Sequence, residues 1–365
     1  MNVVRFPIEE LSADYGDIIL DSVSDDVETI ISINGTEVLH EIYSPDVNGM
    51  VYIRDVGSLA MMYDQIQDIN LNNGLDGSFV KLDISLKEGN ETFETSVNIY
   101  RCDAESGDTL AVTTLKKMPL SRVTKKITGI GRSEFVSFYA PDEQTETGEP
   151  NDPEEINVDV IYYGNDKDEL TTVTLDTLIP STGNYYRYDV SPSVIADLCQ
   201  IIEPKIISYT VYKSENESIS FVLDNRAFLN KTAFIFRNIF GAQEAFTCTG
   251  DSNTERKWTR DYGNVNRKQM QISRNLEKTV TVNTGYINEE TTGLLEDLLN
   301  SQSICLLEEG ELRDVSIVEE SFKVTSRKDQ LIAVEFKYQY SSNNHLQFRT
   351  NKRRIFDYTF DETFN

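Results

Sequence analysis

Histidine is almost missing from this 365-residue chain: His40 and His345 are the only two. His40 adjoins Glu41 near a predicted strand end, and His345 closes the polar run Ser341-Ser-Asn-Asn-His345. Both read as surface residues rather than as bases of a Ser–His–Asp or Cys–His site. Cysteine is scarce as well. Cys102, Cys199, Cys248 and Cys305 lie 97, 49 and 57 residues apart, which fits neither a zinc-ligand spacing nor a redox Cys-x-x-Cys pair, so reduced thiols are expected. No run of eighteen apolar residues exists, which excludes a membrane-spanning helix, and the first twenty residues mix Arg5, Glu9, Glu10, Asp14 and Asp17 into apolar positions, unlike a signal peptide. Positive charge is short: 34 Lys and Arg face 61 Asp and Glu, a formal net charge of −27. Such a surface repels phosphate and anionic lipid, so neither stable nucleic-acid binding nor membrane binding is expected.

Motifs of chemistry are equally lacking. The chain holds no Gly-x-Ser-x-Gly elbow, no P-loop and no His-Glu-x-x-His helix. Gly129-Ile-Gly131 has no third glycine in register and reads as a turn or junction, not a nucleotide loop. Asp166-Lys-Asp168-Glu169 resembles a fragment of a calcium loop without its glycine or closing Glu. Paired carboxylates could hydrolyse glycosides, but among 61 acids such pairs arise by chance. No catalytic residue, metal ligand or cofactor is assigned on the residues.

What the chain does have is strand signal. Short stretches rich in Val, Ile, Tyr, Phe and Thr, among them Val27 to Ile33, Phe79 to Leu86, Ile156 to Tyr163 and Ile206 to Tyr212, often alternate apolar with polar, and Asn34-Gly35, Gly89-Asn90 and Glu309-Gly310 punctuate them as turns. The predicted fold class is mainly β. An order of elements recurs: two strands, a turn, a strand ending in Asp, a short helix and a hairpin. It runs first from Tyr15 through Tyr52-Ile-Arg-Asp55-Val56 and a helix Ser58 to Gln67 into a hairpin Phe79 to Cys102. It runs again from Glu134 through Tyr186-Arg-Tyr-Asp189-Val190 and a helix Pro192 to Ile201 into a hairpin Ile206 to Asp224. Two tandem β-sandwich-like domains follow, 1–128 and 129–225, with Asp55 matched to Asp189. Pro141 to Glu155, with seven acids in fifteen residues, is then a long loop inside a hairpin, either merely solvated or partner-binding.

From Ala227 the texture changes. An aromatic stretch precedes a polar one, Asp251 to Asn266, that carries the single tryptophan, Trp258. Asn288 is placed to cap a helix Glu289 to Asn300 with Leu294, Leu295, Leu298 and Leu299 on one face. With strands after it, residues 226–345 read as a small α+β domain with one amphipathic helix. A basic cluster, Arg349 to Arg354, then leads into an aromatic C-terminal tail, 346–365, read as a docking segment. Arg353, Arg354, Phe356, Tyr358, Phe360 and Phe364 are its candidate partner-binding residues. A tail this apolar must cover something, its own domain or a neighbouring subunit.

The segments Phe236-Arg-Asn-Ile-Phe-Gly-Ala-Gln-Glu-Ala-Phe-Thr-Cys-Thr-Gly250, Val282-Asn-Thr-Gly-Tyr-Ile-Asn-Glu-Glu290 and Leu298-Leu-Asn-Ser-Gln-Ser-Ile-Cys-Leu-Leu-Glu-Glu-Gly310 resemble virion structural proteins of tailed phages and prophages of gut Bacteroidetes, crAss-like phages among them. So do Leu331 to Tyr340 and the ending Asp357-Tyr-Thr-Phe-Asp-Glu-Thr-Phe364. The resemblance covers roughly 234–364. It implies a non-enzymatic, distal-tail-like or ring component of the tail or neck-tail region. The protein would be made in the host cytoplasm, form a homo-oligomeric ring and join other virion tail or neck proteins. Two other classes remain open on the residues alone. One is a carbohydrate-binding β-sandwich or host-receptor adhesin, using Tyr162-Tyr163 or Tyr185-Tyr186 as a platform; the other is a glycan-cleaving enzyme with convergent carboxylates.

Overall fold

A computed structural model of the chain describes residues 2–5, 17–62, 69–75, 79–100, 102, 118–140, 152–164, 167–178, 185–214, 217–228, 230–265, 268–320 and 332–341. Those residues form a mainly β molecule with several antiparallel sheets.

In the first unit, β1 (Asn2–Arg5), β2 (Ile18–Asp21), β3 (Val27–Ile33), β4 (Thr36–Tyr43) and β5 (Val51–Ile53) precede α1 (Val56–Met62), β6 (Gly74–Leu75), β7 (Phe79–Glu88) and β8 (Glu91–Tyr100). β3 buries every second residue, Val27, Thr29, Ile31 and Ile33, as its sequence alternation demands. It turns into β4 through Asn34 and Gly35, whose φ of 49° and 79° suit a two-residue type I′ turn. Sheet β4-β3-β7-β8 and sheet β1-β2-β5 share one apolar cluster with Val56 and Ala60 of α1.

The second unit comprises β9 (Lys125–Gly129), β10 (Phe135–Tyr139), β11 (Glu154–Tyr163), β12 (Asp168–Leu178), β13 (Tyr185–Asp189), α2 (Pro192–Cys199), β14 (Ile206–Ser214) and β15 (Glu217–Asp224). Sheet β12-β11-β14-β15 carries β9 in parallel on its last strand, and β10 pairs with β13. Strand order therefore runs alike in the two units: β4-β3-β7-β8 beside β2-β5, and β12-β11-β14-β15 beside β10-β13. They differ at the margins. β1 extends the small sheet of the first unit on β2, whereas β6 of the first unit extends that of the second on β13. The sequence boundary at 128/129 falls inside β9.

Two details depart from the sequence reading. β10 and β11, on either side of the acidic segment, lie in separate sheets that share a core and are not paired as a hairpin; residues 141–151 between them lie outside the described residues. Helix starts put Asp55 opposite Ser191, two residues beyond Asp189: the Asp55 carbonyl accepts from Leu59 N at 3.0 Å and the Ser191 carbonyl from Ile195 N at 3.1 Å. Asp189 instead accepts from Ser191 N at 2.9 Å, and Ser191 Oγ accepts from Glu134 N at 3.0 Å, which fixes the chain entering α2.

The third unit is one seven-stranded sheet with a helix on it. β16 (Thr232–Arg237), β17 (Gln243–Cys248), β18 (Ser252–Val265), β19 (Lys268–Asn283), α3 (Glu289–Asn300), β20 (Ile304–Glu308), β21 (Glu311–Glu320) and β22 (Glu335–Tyr340) assemble in the order β17-β16-β20-β21-β22-β19-β18. α3 has the bounds expected for it. Asn288 Oδ1 accepts from Thr291 N at 3.0 Å, Glu289 and Glu290 occupy the first turn, and Leu294, Leu295 and Leu298 join Phe234, Phe236, Phe246 and Phe336 in the core. The polar stretch around Trp258 is β18, half of a long ribbon with β19.

Candidate functional site

The residues brought together with most chemistry lie where the three units meet. A strip of the first unit, 69–75, leaves its own sheets, and β6 pairs with β13, setting Gly74 opposite Arg187. Arg187 is 1% exposed. Its guanidinium donates to Asn72 O at 3.1 Å from Nε, to Gln243 Oε1 at 3.2 Å and to Asn70 Oδ1 at 2.5 Å. Gln243, fully buried on β17, donates to Asn70 O at 2.8 Å. One side chain of the second unit is thus bonded to the first and the third, and a buried guanidinium is tolerable only when its donors are so occupied. Around it, Tyr100, Cys102, Leu120, Tyr139, Tyr185, Phe240 and Ala242 form an apolar cluster drawn from all three units. Tyr100 stacks on Tyr185 with centroids 5.8 Å apart and shares a 3.2 Å hydroxyl contact with Tyr139.

A second charged group lies between β9 and β17. Lys126 Nζ contacts Glu244 Oε1 at 2.5 Å, both side chains being almost wholly buried. Glu244 also accepts from Ser121 Oγ at 2.7 Å and from Asn238 Nδ2 at 2.8 Å, so its lone pairs are used, which is the condition for burying an ion pair. Nearby Glu134 is buried and its carboxyl is pushed up to about 7 by desolvation, against the pull of Lys126 and Arg132. Its Oε2 and Arg132 Nε have no hydrogen-bond partner. On α3, burial also pushes Asp297 up to about 6, although Arg122 Nη1 donates to it at 3.0 Å.

Lys126, Arg132 and Glu134 border a cleft of about 440 Å³ that is also lined by Lys125, Arg226, Phe228, Phe246, Asp251, Tyr286 and Glu335. Gly129, at the end of β9, has no room for a Cβ, which would lie 2.8 Å from Asp224 O. Gly129 to Arg132 is a turn closed by Arg132 N to Gly129 O at 3.1 Å. The buried charges here mainly bond one another across the unit boundary, so the arrangement keys two surfaces together.

Residues singled out in the sequence are elsewhere. Arg353, Arg354, Phe356, Tyr358, Phe360 and Phe364 lie outside the described residues, as do His345 and Asp166. His40 is on the exposed face of β4, 2.9 Å from Glu28, whose hydrogen bond raises its pKa. None of the four cysteines forms a disulfide. Among the described residues no three His, Cys, Asp or Glu side chains gather as a metal-holding group. Tyr162 and Tyr163 are neighbours on one strand and so point to opposite faces, and Tyr185 is buried in the junction. Sequence reading missed Arg187, Lys126, Glu134 and Glu244. One signal was available: Gln243 and Glu244 sit inside an otherwise apolar strand, where a charge survives only with a partner. No family model matches this chain, and no curated protein matches it either.

Proposed function

We propose that this chain is a non-enzymatic virion structural protein of a tailed phage, a ring-forming component of the tail or neck-tail region that joins neighbouring virion proteins. In this reading the first two units are duplicated two-sheet sandwiches, 1–128 and 129–225, the third is the α+β domain 226–345, and the 346–365 tail is a docking segment. The observation that carries it is the combination of a three-unit body keyed by Arg187 with an exposed β-ribbon projecting from the third unit, an arrangement suited to joining copies rather than enclosing a substrate. The sequence resemblance covers that same third unit. The net charge of −27 suits a protein that passes or surrounds DNA without holding it.

Light scattering on the purified full chain tests this directly. A closed multi-subunit assembly is expected at micromolar concentration, and a monomer throughout that range overturns the ring. Deleting 349–365 should leave a folded protein that no longer enters particles; normal incorporation removes the tail from the joining role.

A further inference from the structure

The ribbon of β18 and β19 is 14 and 16 residues long, yet only Thr279 to Asn283 of β19 have a second partner, on β22. Among the described residues the two strands from Arg256 outward pair only with each other, and ten residues at about 3.3 Å each carry the arm roughly 30 Å from the sheet. Every residue from Asp251 to Tyr262 is exposed. A two-stranded ribbon is marginal in water by itself, so an arm of this length calls for a surface to lie on.

Its two faces differ. On one, Lys257 opposes Glu277, Nζ to Oε2 3.9 Å, an ordinary mixed-charge pair. On the other, register sets Arg256 opposite Lys278, Trp258 opposite Leu276, and Arg260 opposite Arg274. Like charges placed directly opposite destabilise a ribbon, and here two such pairs bracket an aromatic–aliphatic pair. Lys278 Nζ rests over the Tyr340 ring, 4.6 Å from its centroid. This face is continuous with the one that buries Val280 and Val282 in the core, but along the arm Leu276 and Lys278 are only half-buried and Trp258 is 56% exposed. Residues 252–283 hold seven Lys and Arg against three Asp and Glu, net +4, which leaves −31 on the rest of the chain. The body of a second copy is therefore a better counter-surface than a nucleic acid, which that same body repels.

The body offers a patch of matching form. On the outer face of β11 and β12, Ile161 and Leu170 are directly opposite and exposed, 39% and 67%, and the outward pairs on either side each contain an acid, Asp159 with Thr172 and Tyr163 with Asp168. Cation, apolar pair, cation on the arm meets acid, apolar pair, acid on the patch at the same two-residue spacing. We propose that the Trp258 face of the arm docks on the Ile161–Leu170 patch of a second copy. The contact is heterologous, so its repetition builds a ring when the rotation between copies closes. The inference rests on the ring reading above and adds to it which surfaces meet.

The test uses the full chain and two variants, Arg256→Glu/Arg260→Glu on the arm and Leu170→Glu on the patch. All three substitutions are at exposed positions, and unchanged melting confirms folding. Each variant alone should be monomeric at concentrations where the parent assembles, and a 1:1 mixture should give a heterodimer that grows no further, because one intact arm finds one intact patch. Trp258, the only tryptophan, should shift its emission to the blue on assembly of the parent. A monomeric parent overturns the ring reading itself. An assembling parent with an arm variant of unchanged mass overturns the role of the arm and leaves the ring reading standing. Loss in the arm variant but not in Leu170→Glu overturns the patch. Salt-sensitive binding of a fluorescein-labelled single-stranded DNA 30-mer, lost in the arm variant while its mass is unchanged, assigns the arm to nucleic acid instead.

Discussion

Glu134 is a carboxyl whose ionisation the fold opposes. Desolvation holds its pKa near 7 in the folded protein, against 4.5 for the ordinary group. Between those values the folded state holds a proton that the unfolded state has released, so stability falls as pH rises through the window, by roughly 3 kcal/mol in all. Asp297, raised to about 6, acts in the same direction over the lower part of the range. Glu134→Gln should therefore flatten the decline between pH 5 and 7.5 and be the more stable protein at pH 8. Urea denaturation of both proteins across that range reads it; parallel curves would show that burial does not oppose this charge. Glu88 is the opposite case. It accepts from Ser24 N at 2.6 Å and Asp25 N at 3.1 Å, which pulls its pKa down to about 2, so its contribution is present above the ordinary carboxylate range and lost only as pH falls through that value.

Among the elements, α3 is the one whose start depends most plainly on a single side chain. Replacing Asn288 with Ala removes the acceptor for Thr291 N and should cost about 1 kcal/mol, while Asn288→Asp, an equal cap that also favours the helix dipole, should restore it. Thermal melts of the two variants decide this; equal losses would mean that the side chain packs rather than caps. The bounds of α3 and of Val27–Ile33 were legible in the sequence because each buries one face, and burial writes its period into the residues. β18 was not legible. Ser252 to Tyr262 is exposed throughout and shows no apolar alternation, and only register with β19 makes it a strand. β4 was missed for a related reason: it is an edge strand whose Glu37, His40 and Glu41 face water. Arg187, Asn70 and Gln243 are far apart in the chain and carry no spacing that a reader could recognise. Their meeting is a property of how the units pack.

At the scale of the molecule, that meeting decides whether three units behave as one. Arg187→Met keeps the stem that fills the junction but removes the guanidinium's hydrogen bonds to the first and third units. Limited proteolysis read by mass spectrometry should then show faster cleavage within 69–75, and calorimetry should show the single transition broadening or splitting. Unchanged cleavage and a sharp transition would mean that the aromatic cluster around Tyr100 and Tyr185 holds the units by itself. The same lock also orders events during synthesis. Asn72 is added to the chain 171 residues before Gln243. At ordinary bacterial elongation rates that gap is roughly 10 to 30 s, long compared with the folding of a small β unit. The earliest-made unit therefore spends that interval folded but undocked, with the strip that will pair with β13 first unpaired and then waiting for Gln243. Translation speed across residues 75–243 thus becomes a parameter of correct assembly, and synonymous codon changes there, which alter no residue, would alter how long the strip stays open to wrong partners.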